Sequence, residues 1–169
     1  SVNEKFAKSA MHVLDRKDKI WIQDYQLLLL PGILREKLPN ATIGFFQHIP
    51  FPSYEIFRLI PWREELLNGL IGADLIGFHT YDDVRHFIST ATRLLPINSS
   101  SNVLNSNERQ IVVEAFPMGI DYDKFSNLTA TEKVIKEIDY FRTGKEEMKV
   151  ILSIDRLDYS KGILERLKA

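Results

Sequence analysis

Residues 41–95, ATIGFFQHIPFPSYEIFRLIPWREELLNGLIGADLIGFHTYDDVRHFISTATRLL, carry the reading that decides the fold. Ala41 to Gln47 is an apolar run of strand length, rich in isoleucine and phenylalanine. Pro61 opens a helical pattern that turns Leu66, Leu67, Leu70 and Ile71 inward and stops at Gly72. Proline suits the first helical position, where its missing N–H costs nothing. Asp74 to Phe78 is another buried strand. Thr80 with Asp83 three residues on resembles a capping box. The helix it opens carries Val84, Phe87, Ile88, Ala91 and Leu95 on one face.

The same alternation continues outward. Ile20 to Gln23 is a short β-rich run, and Leu27 to Leu38 has apolar residues at 27, 30, 34 and 38, a helical spacing interrupted by Pro31-Gly32. Asn98 to Asn107, rich in serine and asparagine, reads as a surface loop or hairpin. Ile111 to Phe116 is a fourth strand, and Thr129 with Glu132 reads as a capping pair before a helix ending near Gly144. Met148 to Ile154 is a fifth strand, with a helix after Gly162. Hydrophobic strands alternating with amphipathic helices predict an α/β fold, a parallel sheet with helices on both faces. Any sheet edge left exposed is expected to be covered by copies of the chain, as a homo-oligomer, or to fray. Leu164 to Ala169 and Val2 to Leu14 read as helices lacking a stop and a start cap, so an internal piece of a longer protein is expected.

Bulk properties exclude several classes. The 169 residues are 44% hydrophobic and 27% charged, a globular balance. A net charge of -1 gives no footprint for nucleic acid or an anionic membrane. No apolar run approaches the ~20 residues that span a bilayer. Cysteine is absent, which removes disulfides and thiolate chemistry and fits a reducing, cytoplasmic setting.

In parallel sheets, ligands bind beyond the carboxyl ends of the strands. That rule selects Gln23-Asp24-Tyr25, Gln47-His48-Ile49-Pro50, Phe78-His79-Thr80, and Asp155 to Gly162. In the last segment Arg156 and Lys161 flank a helix start, where N–H groups favour an anion, so they suit a diphosphate leaving group. A solvated arginine and lysine would look the same. Asp24 suits sugar hydroxyls or base chemistry, and equally an N-cap. His48 precedes two prolines that stiffen the turn, and can bond a hydroxyl or be structural. His79 fits a loop buttress, and His12 and His86 fall in helical patterns. No cluster has metal-ligand spacing.

Read in order, these segments resemble one family. Residues 20–87, from IWIQDYQLLLLPG to HTYDDVRHF, resemble the later part of the N-terminal domain of trehalose-6-phosphate synthases. VEAFPMGIDYDKF (113–125) resembles that family's approach to the interdomain linker, and SIDRLDYSKGILERLKA (153–169) resembles the opening of its C-terminal domain. The resemblance implies a GT-B retaining glycosyltransferase with two Rossmann-like domains. Residues 1–145 would belong to the acceptor-side domain and the run into the linker, and 146–169 to the donor domain. It implies transfer of glucose from UDP-glucose to glucose 6-phosphate, with no metal and no other cofactor. Carried over by motif, Asp24 would bind glucose 6-phosphate, His48 the transferred glucose, and Arg156 and Lys161 the UDP phosphates, with His48, Arg156 and Lys161 forming the catalytic set. Many members have histidine where this chain has Gln23 and Gln26, and proline where it has Leu164. The remaining acceptor contacts would precede Ser1, and the uridine contacts would follow Ala169. A catalytically silent regulatory homologue and a transferase with another phosphorylated acceptor are the other readings of the same resemblance.

Overall fold

The computed structural model describes all residues except Arg16, Asn107, Glu108 and Glu146. Ser1–Gly119 forms one compact unit and Ile120–Ala169 a second. Glu146, at the boundary expected at 145/146, lies outside the described residues.

In the first unit, α1 (Val2–Met11) and β1 (Lys19–Gln23) lead through a 3₁₀ turn (Tyr25–Leu27) into α2 (Leu30–Lys37) and β2 (Thr42–Phe46). Then come α3 (Tyr54–Phe57), α4 (Arg63–Leu70), β3 (Leu75–Phe78) and α5 (Tyr81–Leu94). The hairpin β4 (Asn98–Ser100) and β5 (Val103–Ser106) and the long strand β6 (Arg109–Ala115) complete it. The first helix does have a cap: Ser1 Oγ accepts Glu4 N at 3.3 Å and Glu4 answers as a capping box. At Thr80 the expected reciprocal box is only half made: its hydroxyl accepts Asp83 N at 3.2 Å, while the Asp83 carboxylate takes the Thr80 hydroxyl at 2.6 Å in place of the Thr80 backbone N–H.

The sheet runs β1-β2-β3-β6-β5-β4. β1, β2, β3 and β6 are parallel, as expected. The Ser/Asn-rich segment is the hairpin alternative: β4 and β5 pair antiparallel, and β5 pairs antiparallel with β6, so the sheet is mixed. Asn107, at the end of that segment, lies outside the described residues.

Alternation along the strands separates the two faces. Ile22, Ile43, Phe45, Ile76, Phe78, Ile111 and Val113 are buried, in one core with Leu34, Leu67, Leu70 and Phe87 of α2, α4 and α5. The opposite face carries Trp21, Gly44, Leu75, Gly77 and Val112. Helices were expected there too; within the first unit none packs on this face, where Trp21 is 72% exposed and an apolar groove of about 360 Å³ runs to Phe116.

An arginine clamp ties the amino ends of the strands. Arg35 of α2 meets both Asp74 oxygens at 2.8 Å and also bonds the carbonyls of Gly72, Pro39 and Ala41. Arg109 reaches Asp74 Oδ1 at 2.9 Å, and Ile43 N donates to Oδ2 at 2.8 Å. Burial pushes the Asp74 carboxyl up, but the bonds from Ile43 N–H, Arg109 and Arg35 outweigh it and hold the group below its ordinary range.

The second unit holds α6 (Tyr122–Leu128), α7 (Glu132–Arg142), a 3₁₀ turn (Tyr159–Lys161) and α8 (Ile163–Lys168). Two expectations are corrected here. Thr129 and Glu132 are not a capping pair: the Thr129 and Thr131 hydroxyls turn back and donate to Ser126 O and Leu128 O, each at 2.7 Å. Met148 to Ile154 is not a strand. A strand needs a ladder partner, and no strand occurs among the described residues of this unit, where Val150, Ile151, Leu152 and Ile154 are 74–93% exposed.

Candidate active site

The carboxyl ends of β1, β2 and β3 lie side by side because the strands are parallel and in register, Gln23 opposite Phe46 and Phe46 opposite Gly77. Asp24, His48 and His79 follow those ends, and two of the predicted site residues, Asp24 and His48, meet there.

Asp24 sits at φ 71° and ψ 168°, a region that only glycine enters freely. Bonds on both sides of the residue hold it: Asp24 N donates to Phe46 O at 2.7 Å, and Leu27 N donates to Asp24 O at 3.1 Å. Its Oδ1 accepts Tyr25 N at 3.0 Å and His48 N at 3.3 Å. The N-cap reading and the site reading of Asp24 therefore coexist in one carboxylate. Oδ2 has no hydrogen-bond partner among the described residues.

His48 is exposed, and its Nε2 lies 2.7 Å from Gln23 Oε1. Its ring is 4.8 Å from that of Phe46 and 5.3 Å from that of His79, and Phe46 and His79 are 5.0 Å apart. The loop after His48 is anchored in the core. Phe51 N donates to the buried Asp83 carboxylate at 2.8 Å, Thr80 Oγ1 donates to the same group at 2.6 Å, and His86 Nδ1 donates to Phe51 O at 3.2 Å. Phe46 reaches the ring cluster because Gly77 lacks a side chain: a Cβ there would lie 2.6 Å from Phe46 Cδ2. Sequence reading missed Gln23 and Phe46 as supports and left His79 as a buttress. The available signal was that all three stand at or next to the ends of neighbouring strands.

Arg156 and Lys161 belong to the second unit, in the loop between Asp155 and Gly162. Arg166 of α8 organises that loop, bonding Ser153 Oγ, Asp155 Oδ2 at 2.7 Å and Lys161 O at 3.1 Å. The Arg166 bond holds the Asp155 carboxyl below its usual range. Asp158 is lowered by the Ser160 N–H, which donates to its Oδ1 at 2.9 Å. Gly162 takes the left-handed conformation, φ 58°, that turns the chain into α8. Neither Arg156 nor Lys161 forms an ion pair among the described residues. The loop thus bonds its own carboxylates through Arg166 and the Ser160 N–H, with Arg156 and Lys161 acting on them only at longer range. No group of histidine, aspartate and glutamate side chains among the described residues could hold a metal, and no helix there is long and apolar enough to cross a membrane.

The model of glycosyltransferase family 20 matches residues 1–169. An α,α-trehalose-phosphate synthase [UDP-forming] of Pichia angusta is 46% identical over 174 residues, covering 99% of this chain and 36% of the relative. A UDP-forming α,α-trehalose-phosphate synthase from Burkholderia xenovorans, solved in complex with glucose-6-phosphate, superposes with a TM-score of 0.78 at 32% identity over 99% of this chain and 38% of its own. The E. coli structure bound with UDP-2-fluoro glucose gives a TM-score of 0.80 at 33% identity, with 99% of this chain and 37% of that chain covered. The chain spans about a third of the length of the relatives it matches. By the family match along its whole length, and by the fold it shares with these structures, the chain belongs to glycosyltransferase family 20.

Proposed function

We propose that the full protein is a UDP-forming α,α-trehalose-phosphate synthase, transferring glucose from UDP-glucose to the anomeric hydroxyl of glucose 6-phosphate with retention of configuration. The observation that carries the reading is the Asp24–His48 pairing at the carboxyl edge of the sheet, in a chain 46% identical over nearly all its length to such a synthase. Residues 1–145 belong to the acceptor-side domain and the run into the linker, and 146–169 open the donor domain. Asp24 holds hydroxyls of the acceptor, for which its Oδ2 is uncommitted. His48 bonds the transferred glucose.

The C1–O bond to UDP breaks as the acceptor oxygen attacks from the same face, and the acceptor proton passes to the departing phosphate. Arg156 and Lys161 neutralise the charge that grows on that phosphate, the role that metal ions fill elsewhere, so the reaction needs no metal. The absence of cysteine fits the cytoplasm as its location. Because catalysis draws on both domains, the residues of this chain would not suffice alone.

The test is UDP release by the full-length protein from UDP-glucose, with and without glucose 6-phosphate. Acceptor-dependent release is expected, and Arg156→Ala should lower kcat by about 100-fold or more, the scale for losing one donor to a developing negative charge. Binding of sugar phosphate without release would instead mark a regulatory homologue. Release only with another acceptor would reassign the substrate.

A further inference from the structure

Gln23 and Asp24 are consecutive, yet both grip the same residue one strand over: Gln23 holds the His48 side chain at 2.7 Å, and Asp24 holds the His48 backbone at 3.3 Å. We propose that Gln23 is a positioning residue that fixes the His48 imidazole in its Nε2–H tautomer, leaving Nδ1 as the ring atom that accepts a hydrogen bond from a sugar hydroxyl.

The argument runs from donors and acceptors. The side-chain oxygen of glutamine only accepts. At 2.7 Å from Nε2 it therefore requires the proton on Nε2, and the lone pair of the neutral ring then lies on Nδ1. The ring is also restrained in orientation. Phe46, itself only 8% exposed, stands 4.8 Å away on one side and His79 5.3 Å away on another. The groups facing His48 are thus the Gln23 amide, the Asp24 carboxylate, the His79 imidazole and the Phe46 ring. Gln23 does not ionise, so its acceptor is present at every pH. A fixed tautomer matters because a hydroxyl that donates to Nδ1 keeps its own oxygen lone pairs free for other contacts, whereas the opposite tautomer would force that oxygen to accept.

The link to transfer rests on the proposed function, whereas the tautomer stands apart from it, and the experiment separates the two. Full-length protein carrying ¹⁵N-histidine is recorded in long-range ¹H–¹⁵N spectra, with His48 assigned by its loss in His48→Gln. The Nε2–H pattern is expected in the wild type and in Gln23→Glu, which keeps an acceptor. Gln23→Met should give a mixed or reversed pattern, with its fold checked by thermal unfolding, and should lower kcat/KM for UDP-glucose roughly three- to tenfold, one hydrogen bond's worth. An Nδ1–H pattern in the wild type, or an unchanged spectrum in Gln23→Met, would overturn the proposal. If the wild type transfers no glucose, the functional reading falls while the spectra still decide the tautomer.

Discussion

The Asp24 carboxylate accepts the backbone N–H of His48 at 3.3 Å, and it does so from a backbone conformation, φ 71° and ψ 168°, that side chains avoid. Strain of this kind costs about 1–3 kcal/mol and persists only where the surroundings over-determine it. Here they do, through the Phe46 and Leu27 bonds on either side of the residue. The first prediction follows from the conflict. Asp24→Ala keeps the strain and loses both carboxylate bonds, so it should destabilise by about 2 kcal/mol. Asp24→Gly loses the same bonds but relieves the strain, so it should be more stable than Asp24→Ala by about 1 kcal/mol, reversing the usual order of alanine over glycine. Both should lower kcat/KM for glucose 6-phosphate about 10- to 100-fold, the range for bonds to a charged group. Urea unfolding with steady-state kinetics on the full-length protein checks both halves. If glycine proves the less stable, the strain is not there.

Gly77 gives the second prediction. It lies in β3 beneath the ring cluster, where a Cβ would sit 2.6 Å from Phe46 Cδ2 and 3.1 Å from Phe116 Cδ2. Gly77→Ala must displace the Phe46 ring from its present place against His48 and His79, and overpacking of this sort costs about 1–3 kcal/mol. The mutant should fold with a lowered Tm and a raised KM for UDP-glucose, because the His48 ring leans on Phe46. A mutant with wild-type KM would show that the ring cluster does not set the position of His48.

Much of this was readable in the residues. Apolar runs such as ATIGFFQ and DLIGF read as buried strands by their length and composition, and Thr80 with Asp83 announced the start of α5. Asp24 and His48 were selected as candidates by the rule that ligands gather at strand ends, and the structure brings the two together. The departures have physical causes. The Ser/Asn-rich segment has weak strand propensity and pairs only because β6 offers it an edge. Met148 to Ile154 has strong propensity but no ladder partner among the described residues. Propensity is local and pairing is not. The Gln23–His48 bond spans 25 residues and depends on register, and the positive φ of Asp24 leaves no mark in composition at all.

The third prediction concerns the Arg35–Asp74–Arg109 clamp, far along the strands from the site. The folded Asp74 carboxyl is held below its ordinary value by Ile43 N–H and the two arginines, against burial. A group depressed in the folded state stabilises it above the unfolded pKa, about 4, and loses that contribution as pH falls through the folded value. Asp74→Asn should therefore be less stable than wild type at neutral pH, and the gap should narrow as pH drops below about 4. Thermal unfolding of both proteins across that range measures it. A gap that is constant with pH would mean the carboxylate contributes through shape alone.

Arg166 carries the last prediction, and it separates loop order from stability. The guanidinium bonds Ser153 Oγ, Asp155 and the Lys161 carbonyl, and Asp155 is held low by it. Solvent screens that ion pair, so its loss should barely move the unfolding transition. The loop it organises carries Arg156 and Lys161, however, and under the proposed function these two cationic groups must be held in place before they can share one diphosphate. Arg166→Met in the full-length protein should raise KM for UDP-glucose about three- to tenfold, the scale of one ordering bond, with a smaller change in KM for glucose 6-phosphate. Measuring the two KM values side by side decides the matter. Equal increases would point to a general loosening of the protein, and an increase confined to the acceptor would detach this loop from the donor phosphates altogether.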